Sequence, residues 1–462
     1  MKFQIELTIK TDEDSASSEI ITFERESLSD DTLGLSLNEA KALLTQVQQH
    51  MVAQQIAAFI HAAKTCSCGQ THSLKGHHTI RYQSLFGKLY LSSPRFYTCP
   101  CQDSPSKSFS PLKRVLKARS SPELLYLQSK WAALMSYGMT ADLINDVLPI
   151  TSNATTVYNH SQCVARRLES EVEEEAHVYI EGCEMEWAEL PMPDMPLSVG
   201  IDGGYIRERQ AEQRKAGVCE VIVGKSIPYQ GKGKCFAYVS GDDRPKRRLA
   251  NLLKSQGMQA NQTVTFLSDG GDNVRDLQRY LSPQAEHLLD WFHVTMRITT
   301  LRQMLKGLKP HPDLWISPED LLTQMERVKW FLWHGNVYKA LDVLRRMGEP
   351  LESVSDENDR AGKIGKALED FHHYIEVNRP FIPNYAERYH AGERISTGFV
   401  ESAVNQVIAK RFAKKQQMRW TRQGAHHLLQ IRVKVLNEEF HAQFQTWYPR
   451  FDIRSEWQQQ AA

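Results

Sequence analysis

Two apolar runs that each stop at Asp-Gly-Gly constrain this 462-residue chain more than any other feature. The first is Leu197-Ser198-Val199-Gly200-Ile201-Asp202-Gly203-Gly204. The second is Thr263-Val264-Thr265-Phe266-Leu267-Ser268-Asp269-Gly270-Gly271. Short apolar runs bounded by turn residues read as buried strands. Around them the pattern predicts strands at 197–202, 218–224 and 235–240, then a helix over 245–255. A strand ending at Asp269, a helix capped by Asp272 and running through Tyr280, and a strand at 287–290 follow. That order is an antiparallel meander joined to parallel strands.

This is the order of an α/β ribonuclease-H-like core. From Val294 to about Asn378 the pattern turns helical, with helices at 321–333, 337–347 and 357–376. Helical spacing resumes over 396–412 and 421–440. The core is therefore expected as 196–293 and 396–462, split by an all-α insertion over 294–395. Glu401 lies in the helical pattern Gly398-Phe399-Val400-Glu401-Ser402-Ala403-Val404, 401 − 202 = 199 positions after Asp202. Two strand ends and one helix can bring three carboxylates together. Such a set suits Mg²⁺ or Mn²⁺, which take hard oxygen ligands. Two such ions ~3.5–4 Å apart can hold both the attacking and the leaving oxygen of a phosphodiester. The glycines after each Asp are expected to let a substrate backbone come close.

The N-terminal third reads as smaller modules. Residues 1–64 hold a strand, a polar turn at 12–18 and a long helix opened by the capping box Ser36-Leu37-Asn38-Glu39. Over 65–120, Cys66-Ser67-Cys68 and Cys99-Pro100-Cys101 flank strands at 79–82 and 88–91. Paired cysteines on two turns around a hairpin follow the logic of a zinc ribbon, with Cys66, Cys68, Cys99 and Cys101 as Zn²⁺ ligands and His72, His77 and His78 as substitutes. Residues 121–168 read as three helices with a turn at Tyr137-Gly138. This helix-turn-helix pattern would offer Asn153, Thr155, Thr156, Tyr158, Asn159 and His160 to DNA. Residues 169–195 contain nine glutamates and no Lys or Arg, and read as an acidic linker.

The net charge of +1 hides strong segregation. Lys107, Lys113, Arg114, Lys117 and Arg119 precede the three helices without an acid. Between Arg394 and Lys434, the basic residues Lys410, Arg411, Lys414, Lys415, Arg419 and Arg422 accompany a single acid, Glu401. Local charge, not the total, decides where a polyanion binds. No window approaches the ~18 consecutive apolar residues of a membrane span. The alternating start Met1-Lys2-Phe3-Gln4-Ile5 reads as a strand rather than a signal peptide, so a cytoplasmic protein is expected.

Four segments together resemble the DDE transposases of bacterial insertion sequences, in particular the ISKra-type group, distantly related to mutator-like and hAT transposases. They are Gly200-Ile201-Asp202-Gly203-Gly204, Leu267-Ser268-Asp269-Gly270, Leu289-Asp290-Trp291-Phe292-His293 and Gly398-Phe399-Val400-Glu401. The third matches the Cys/Asp-x-x-His signature of these groups. The resemblance implies binding of inverted-repeat ends in double-stranded DNA, strand cleavage to a free 3′-hydroxyl, and joining of that hydroxyl to target DNA. It implies Asp202, Asp269 and Glu401 as catalytic Mg²⁺ ligands, with His293 and Asn405 beside them. Lys410, Arg411, Lys414, Lys415, Arg419 and Arg422 would grip phosphates, and Trp330, Trp333 or Trp420 would stack on a base. A self-associating, nucleoid-associated bacterial protein follows, with the long helix over 36–63 as one contact. Two other readings stand beside it. One is a transposase-derived DNA-binding protein without catalysis. The other is an aspartic protease, which also pairs two Asp-containing turns but is nearly all β.

Overall fold

The computed structural model describes residues 1–10, 15–102, 106–193, 197–209, 217–228, 230–271, 277, 281, 285–312, 314–354, 359–413 and 418–453. The chain folds as two units, Met1–Arg167 with Glu438–Ala462, and Leu168–Asn437. The helix expected from Asp272 to Tyr280 falls largely outside the described residues, as do Lys414 and Lys415.

The first unit begins with a hairpin, β1 (Lys2–Lys10) against β2 (Ser15–Glu24), in register at Ile5↔Ile21 and Phe3↔Phe23. The sequence reading had only β1; the polar start of β2 masked the run Ile20-Ile21-Thr22-Phe23, in which Ile20 and Phe23 are buried. Helix α1 (Leu37–Ala62) starts at the predicted capping box, with both reciprocal bonds between Ser36 and Glu39 formed. Strands β3 (Leu74–Ser84) and β4 (Gly87–Tyr97) form an antiparallel pair, extended by β5 (Ser108–Phe109). One face of this sheet is apolar: Leu89 and Leu91 of β4 pack with Leu112, Val52, Ile56 and Ile60. Leu112 lies on the short helix α2 (Pro111–Val115).

Helices α3 (Pro122–Leu134), α4 (Tyr137–Val147) and α5 (Ala154–Ser170) follow. The turn between the first two lies one step earlier than expected. Ser136 Oγ accepts from the Met139 amide at 3.2 Å and caps α4, so Tyr137 and Gly138 form its first turn instead of the break.

The second unit contains the short helix α6 (Glu184–Ala188) and the predicted five-stranded sheet. Its strands are β6 (Leu197–Arg207), β7 (Val218–Ile227), β8 (Lys234–Val239), β9 (Val264–Ser268) and β10 (Ala285–Leu289), in the order β10-β9-β6-β7-β8. β6-β7-β8 is antiparallel; β9 runs parallel to β6, and β10 parallel to β9. Helix α7 (Pro245–Ser255) covers it through Leu249, Ala250 and Leu253.

Four helices then form a separate core: α8 (Trp291–Lys306), α9 (Pro318–Trp333), α10 (Val337–Ser353) and α11 (Asp359–Val377). Their buried positions recur every three or four residues, as in Val294, Ile298, Leu301 and Leu305, or Ile364, Leu368, Phe371 and Ile375. Helix α12 (Tyr385–His390) leads back to the sheet through α13 (Gly398–Val404), a π-helical segment Asn405–Ala413, and α14 (Arg422–Leu436). The final helix, α15 (Phe440–Trp447), belongs to the first unit, where Phe440 and Phe444 pack on Tyr126.

The acidic stretch is not a free connector. Glu169, 13% exposed, receives Arg248 at 2.7 Å and Arg244 at 3.1 Å, and Arg247 meets Glu173 at 3.0 Å. Its acids dock on the basic N-terminal half of α7, which the sequence reading had treated only as a helix.

Candidate active site and cysteine cluster

Pairing between β6 and β9 runs from Leu197↔Val264 to Gly200↔Leu267. Asp202 and Asp269 each lie two residues beyond the last pair, so they stand level on neighbouring parallel strands. Pairing of β9 with β10 ends at Ser268↔Leu289, which puts Asp290 on the same level. Three aspartates therefore stand level where the parallel pairing stops. Strands β9 and β10 end there, whereas β6 runs on through Asp202 to Arg207, still paired with β7, so Asp202 lies inside a strand and not at the strand end expected.

The helix bearing Glu401 reaches this edge because two glycines let it. Residues 200, 202 and 204 of β6 point to one face. A Cβ at Gly200 would lie 2.1 Å from Val400 Cγ2, and one at Gly204 would lie 2.6 Å from Ile408 Cδ1. Val400, Val404 and Ile408 are spaced one turn apart, so this stripe rides over β6 on both sides of Asp202. Gly204 thus admits a helix, not a substrate backbone as expected. Gly270, at φ +91°, lies against Asn378, where a Cβ would be 2.3 Å from Oδ1. Asp202 Oδ1 accepts from the Gly203 amide at 2.7 Å, and Asp269 Oδ1 from the Gly271 amide at 3.0 Å.

Burial pushes the Asp202 carboxyl above its usual range; the Gly203 amide and His293 oppose this, and Asp269 and Asp290 add to it. Asp290 is fully buried and also shifted up by burial, although several donors hold it. It caps α8 through the Phe292 amide at 2.9 Å, accepts the Thr397 amide at 3.0 Å, and accepts the Thr397 hydroxyl. Thr397 is the N-cap residue of α13. Asp290 therefore ties the two ends of the helical block to each other, directly before the helix of Glu401. This role was hidden in the sequence, where Asp290 was only part of a signature. His293 lies one turn further on, its Nε2 3.6 Å from Asp290.

Another contributor missed in the sequence comes from α11. Tyr374 donates to the backbone carbonyl of Asp269 at 3.0 Å, and the Arg297 guanidinium lies 4.0 Å from the centre of its ring. No spacing signal could link positions 105 residues apart. Asp269 and Glu401 are exposed. Asp202, Asp269 and Glu401 are not drawn into a group whose ligand atoms all lie within 4.8 Å; among the described residues, the four N-terminal cysteines alone form such a group.

That group is Cys66, Cys68, Cys99 and Cys101, with Sγ separations of 3.4 Å for Cys66–Cys101 and 3.6 Å for Cys68–Cys99. Four thiolates around a tetrahedral ion at ~2.3 Å stand about 3.8 Å apart, so the set fits zinc. The first pair sits on a tight turn, with the Gly69 amide 2.9 Å from the Cys66 carbonyl and Gly69 at φ +87°. The Cys68 amide holds the Cys66 thiol down at about 6. His72 is no substitute ligand: it is buried, with Nδ1 3.1 Å from the Tyr97 carbonyl.

The expected DNA contacts divide. Lys113, Arg114, Lys117, Thr155, Tyr158, Asn159, Lys410, Arg419 and Arg422 are exposed, Thr156 is half-buried, and Asn405 is exposed where the π-helical segment begins. Arg114 lies 4.1 Å from the Phe109 ring centre, and Arg422 is engaged by Glu208 at 3.1 Å. Arg411 and Trp420 are corrections. Arg411 is fully buried because it continues the inward stripe Val400, Val404, Val407 and Ile408, and its guanidinium lies 5.1 Å from the Trp420 ring centre. Trp420 is 3% exposed and packs on Phe412, with ring centres 4.7 Å apart, so both are taken up by packing and not offered to DNA. His160 is taken up by Ser120 and Gln128, and Asn153 caps α5 through the Thr156 amide. Trp333 packs with Trp291 at 5.1 Å, whereas Trp330 is 55% exposed.

Compared with known proteins, the chain matches no family model and no curated relative. Among solved structures, the crystal structure of NurA with manganese aligns with 62% of this chain and 65% of that chain, at 11% identity and a TM-score of 0.11. That likeness is too small to carry an argument about fold or activity. No helix of the described residues is long and apolar enough to cross a membrane.

Proposed function

We propose that the chain is a DDE transposase with a ribonuclease-H-like core, acting on the inverted-repeat ends of its element. The observation that carries this reading is the level placement of Asp202 and Asp269 on adjacent parallel strands, beneath a helix that bears Glu401. The supporting sheet is an antiparallel meander joined to two parallel strands, and an all-α block separates its last strand from α13. Asp202, Asp269 and Glu401 would hold two Mg²⁺ or Mn²⁺ ions; their all-oxygen donor set suits these hard cations. When bound, such ions supply the charge that activates the attacking oxygen and stabilises the leaving one.

The chain's own residues set the stage. The Gly203 and Gly271 amides orient the two aspartates, and Tyr374 braces the turn of Asp269. Asp290 anchors α13 and aligns His293 beside Asp202. Exposed Lys410 and Arg419 would hold phosphates nearby, and strand joining requires two DNA ends and hence self-association.

The test uses purified full-length chain and DNA carrying the inverted repeats that flank the gene. Asp202→Ala, Asp269→Ala and Glu401→Ala should each lower Mg²⁺-dependent cleavage by a factor of at least ~10³ while end binding survives. Variants that still cut would rule out the triad. We further infer that Cys66, Cys68, Cys99 and Cys101 hold one structural Zn²⁺. Metal analysis should find it in the parent and lose it in Cys66→Ser/Cys99→Ser; a zinc-free parent ends that inference.

A further inference from the structure

The two level aspartates are held by different means. Asp202 lies within β6, where pairing with β7 on both sides of it fixes the backbone. Asp269 lies one residue past the end of β9, outside the ladder. It is exposed, and Gly270 beside it sits at φ +91°. The course of this turn is therefore set by side chains.

Three groups reach the turn. Tyr374 donates to the Asp269 carbonyl at 3.0 Å, Asn378 lies against Gly270, and Ser268 Oγ accepts from the Gly270 amide at 3.2 Å. A serine hydroxyl that accepts from the amide two residues on closes a local turn. Ser268 Oγ also lies 3.0 Å from His287 Nε2. The two side chains share a face because β9 and β10 are parallel. Ser268↔Leu289 and Phe266↔His287 are pairs, so His287 is the diagonal neighbour of Ser268.

Elementary chemistry fixes the direction of that bond. A hydroxyl has one hydrogen to give. Ser268 is fully buried, and among the described residues its Oγ meets the Gly270 amide and His287 Nε2. The amide can only donate, so the hydroxyl hydrogen goes to Nε2. His287 is therefore neutral here, with Nε2 as acceptor and its proton on Nδ1. Without that acceptor, a buried hydroxyl hydrogen is left without a bond, and Ser268 gains by turning away from Gly270.

The imidazole is itself held. Its centre lies 4.5 Å from that of the Phe381 ring, on the single turn Arg379–Phe381 that follows α11. The end of one helical element thus reaches the turn of Asp269 twice directly, through Tyr374 and Asn378, and once through Phe381, His287 and Ser268.

We propose that His287 is a positioning residue for the second carboxylate: through Ser268 it holds the Asp269-Gly270 turn in the orientation that metal binding by Asp269 requires. It acts through Ser268 and touches neither metal nor DNA. The proposal rests on the carboxylate site described under the proposed function. Groups that orient metal ligands from behind change metal affinity by about 10–100-fold when removed.

The experiment titrates Mn²⁺ into the full-length chain and reads free Mn²⁺ by electron paramagnetic resonance. Asp269→Asn should lose the tight binding, which defines the site. His287→Leu fills the space but offers no acceptor, and should weaken that binding about 10–100-fold. Ser268→Ala should do the same, and the double variant should be no weaker than either single, because the two residues act in one chain. His287→Gln offers Oε1 at a similar reach and should stay within about threefold of the parent. Rescue by Gln separates loss of the acceptor from general loosening. If His287→Leu does not fold, Ser268→Ala, which removes one buried oxygen, carries the test against His287→Gln. Parent-like binding in His287→Leu or Ser268→Ala overturns the proposal, as does a Gln variant as weak as the Leu variant. If Asp269→Asn binds Mn²⁺ like the parent, the carboxylate reading falls and this role with it. Loss in Asp269→Asn with none in His287→Leu sinks the role alone.

Discussion

Two groups of acids in the second unit have opposite surroundings. Glu169 and Asp242 enclose Arg248, which reaches Asp242 at 2.6 Å and Glu169 at 2.7 Å, with His426 3.4 Å from Glu169. Burial pushes Glu169 up, yet His426 and Arg248 outweigh it and hold the carboxyl down at about 2. Asp202, Asp269 and Asp290 crowd one sheet edge, where the His293 imidazole lies beside them with Nε2 3.6 Å from Asp290. There burial prevails and Asp202 is shifted up. The first group is an internal tie, complete in itself. The second holds one carboxyl whose burial is not offset, the situation that the metal binding proposed above would relieve.

Breaking the complete group should have the largest effect on stability. Glu169→Gln removes the carboxylate that Arg248 and Arg244 share, leaves Arg248 with only Asp242 of its two acids, and should cost about 3 kcal/mol in urea unfolding at pH 7. Its folded pKa lies below the ordinary 4.5, so this contribution is present above pH 4.5 and fades as pH falls toward 2. A deficit that persists unchanged at pH 3 would show that the ion pairs are not its source.

Thr397→Val tests the intermediate case of Asp290, which is held by hydroxyl and amide donors rather than by arginine. Loss of the hydroxyl donor to a buried carboxylate should cost about 2 kcal/mol. It should also reduce cleavage more than end binding, because α13 carries Glu401. Equal loss of both would make Thr397 a folding residue only.

The smallest effect has the opposite sign. Asp202→Asn should raise Tm by a few degrees at pH 7. The raised pKa means that the parent's carboxyl is comfortable when protonated and costs stability as pH rises through its folded value. The advantage of Asn should therefore disappear at low pH. Mg²⁺ should raise Tm of the parent and not of the variant. A variant no more stable than the parent at pH 7 would show that Asp202 is already compensated.

The same contrast separates what could be read from one-dimensional pattern. Strands β6 to β10 were legible because buried strands are short apolar runs, two of which stop at Asp-Gly. Helix α1 was legible from Ser36 and Glu39. The cysteine cluster was legible because its ligands lie in two tight turns of one hairpin. Strand β2 is not legible because a polar start hides its apolar centre, and the first turn of α4 is not, because Gly138 reads as a break where Ser136 caps the helix.

Sequence alone determined which residues could do chemistry at this sheet: a carboxylate at the end of each apolar run and one on a later helix. Where each apolar run stops follows from local pattern, since side-chain alternation and turn chemistry act over a few residues, but β6 continues past Asp202 to Arg207. Only the tertiary structure decided what surrounds them. The two-residue offset that levels Asp202 with Asp269 comes from strand register, and the approach of Glu401's helix comes from Gly200 and Gly204 lacking side chains. Burial turned Arg411 and Trp420 from expected DNA contacts into packing, and gave Asp290 and Tyr374 roles that no local spacing encodes. Apart from the Arg411–Trp420 contact, those outcomes depend on contacts between residues about 67 to 204 positions apart, which pattern within a segment does not record.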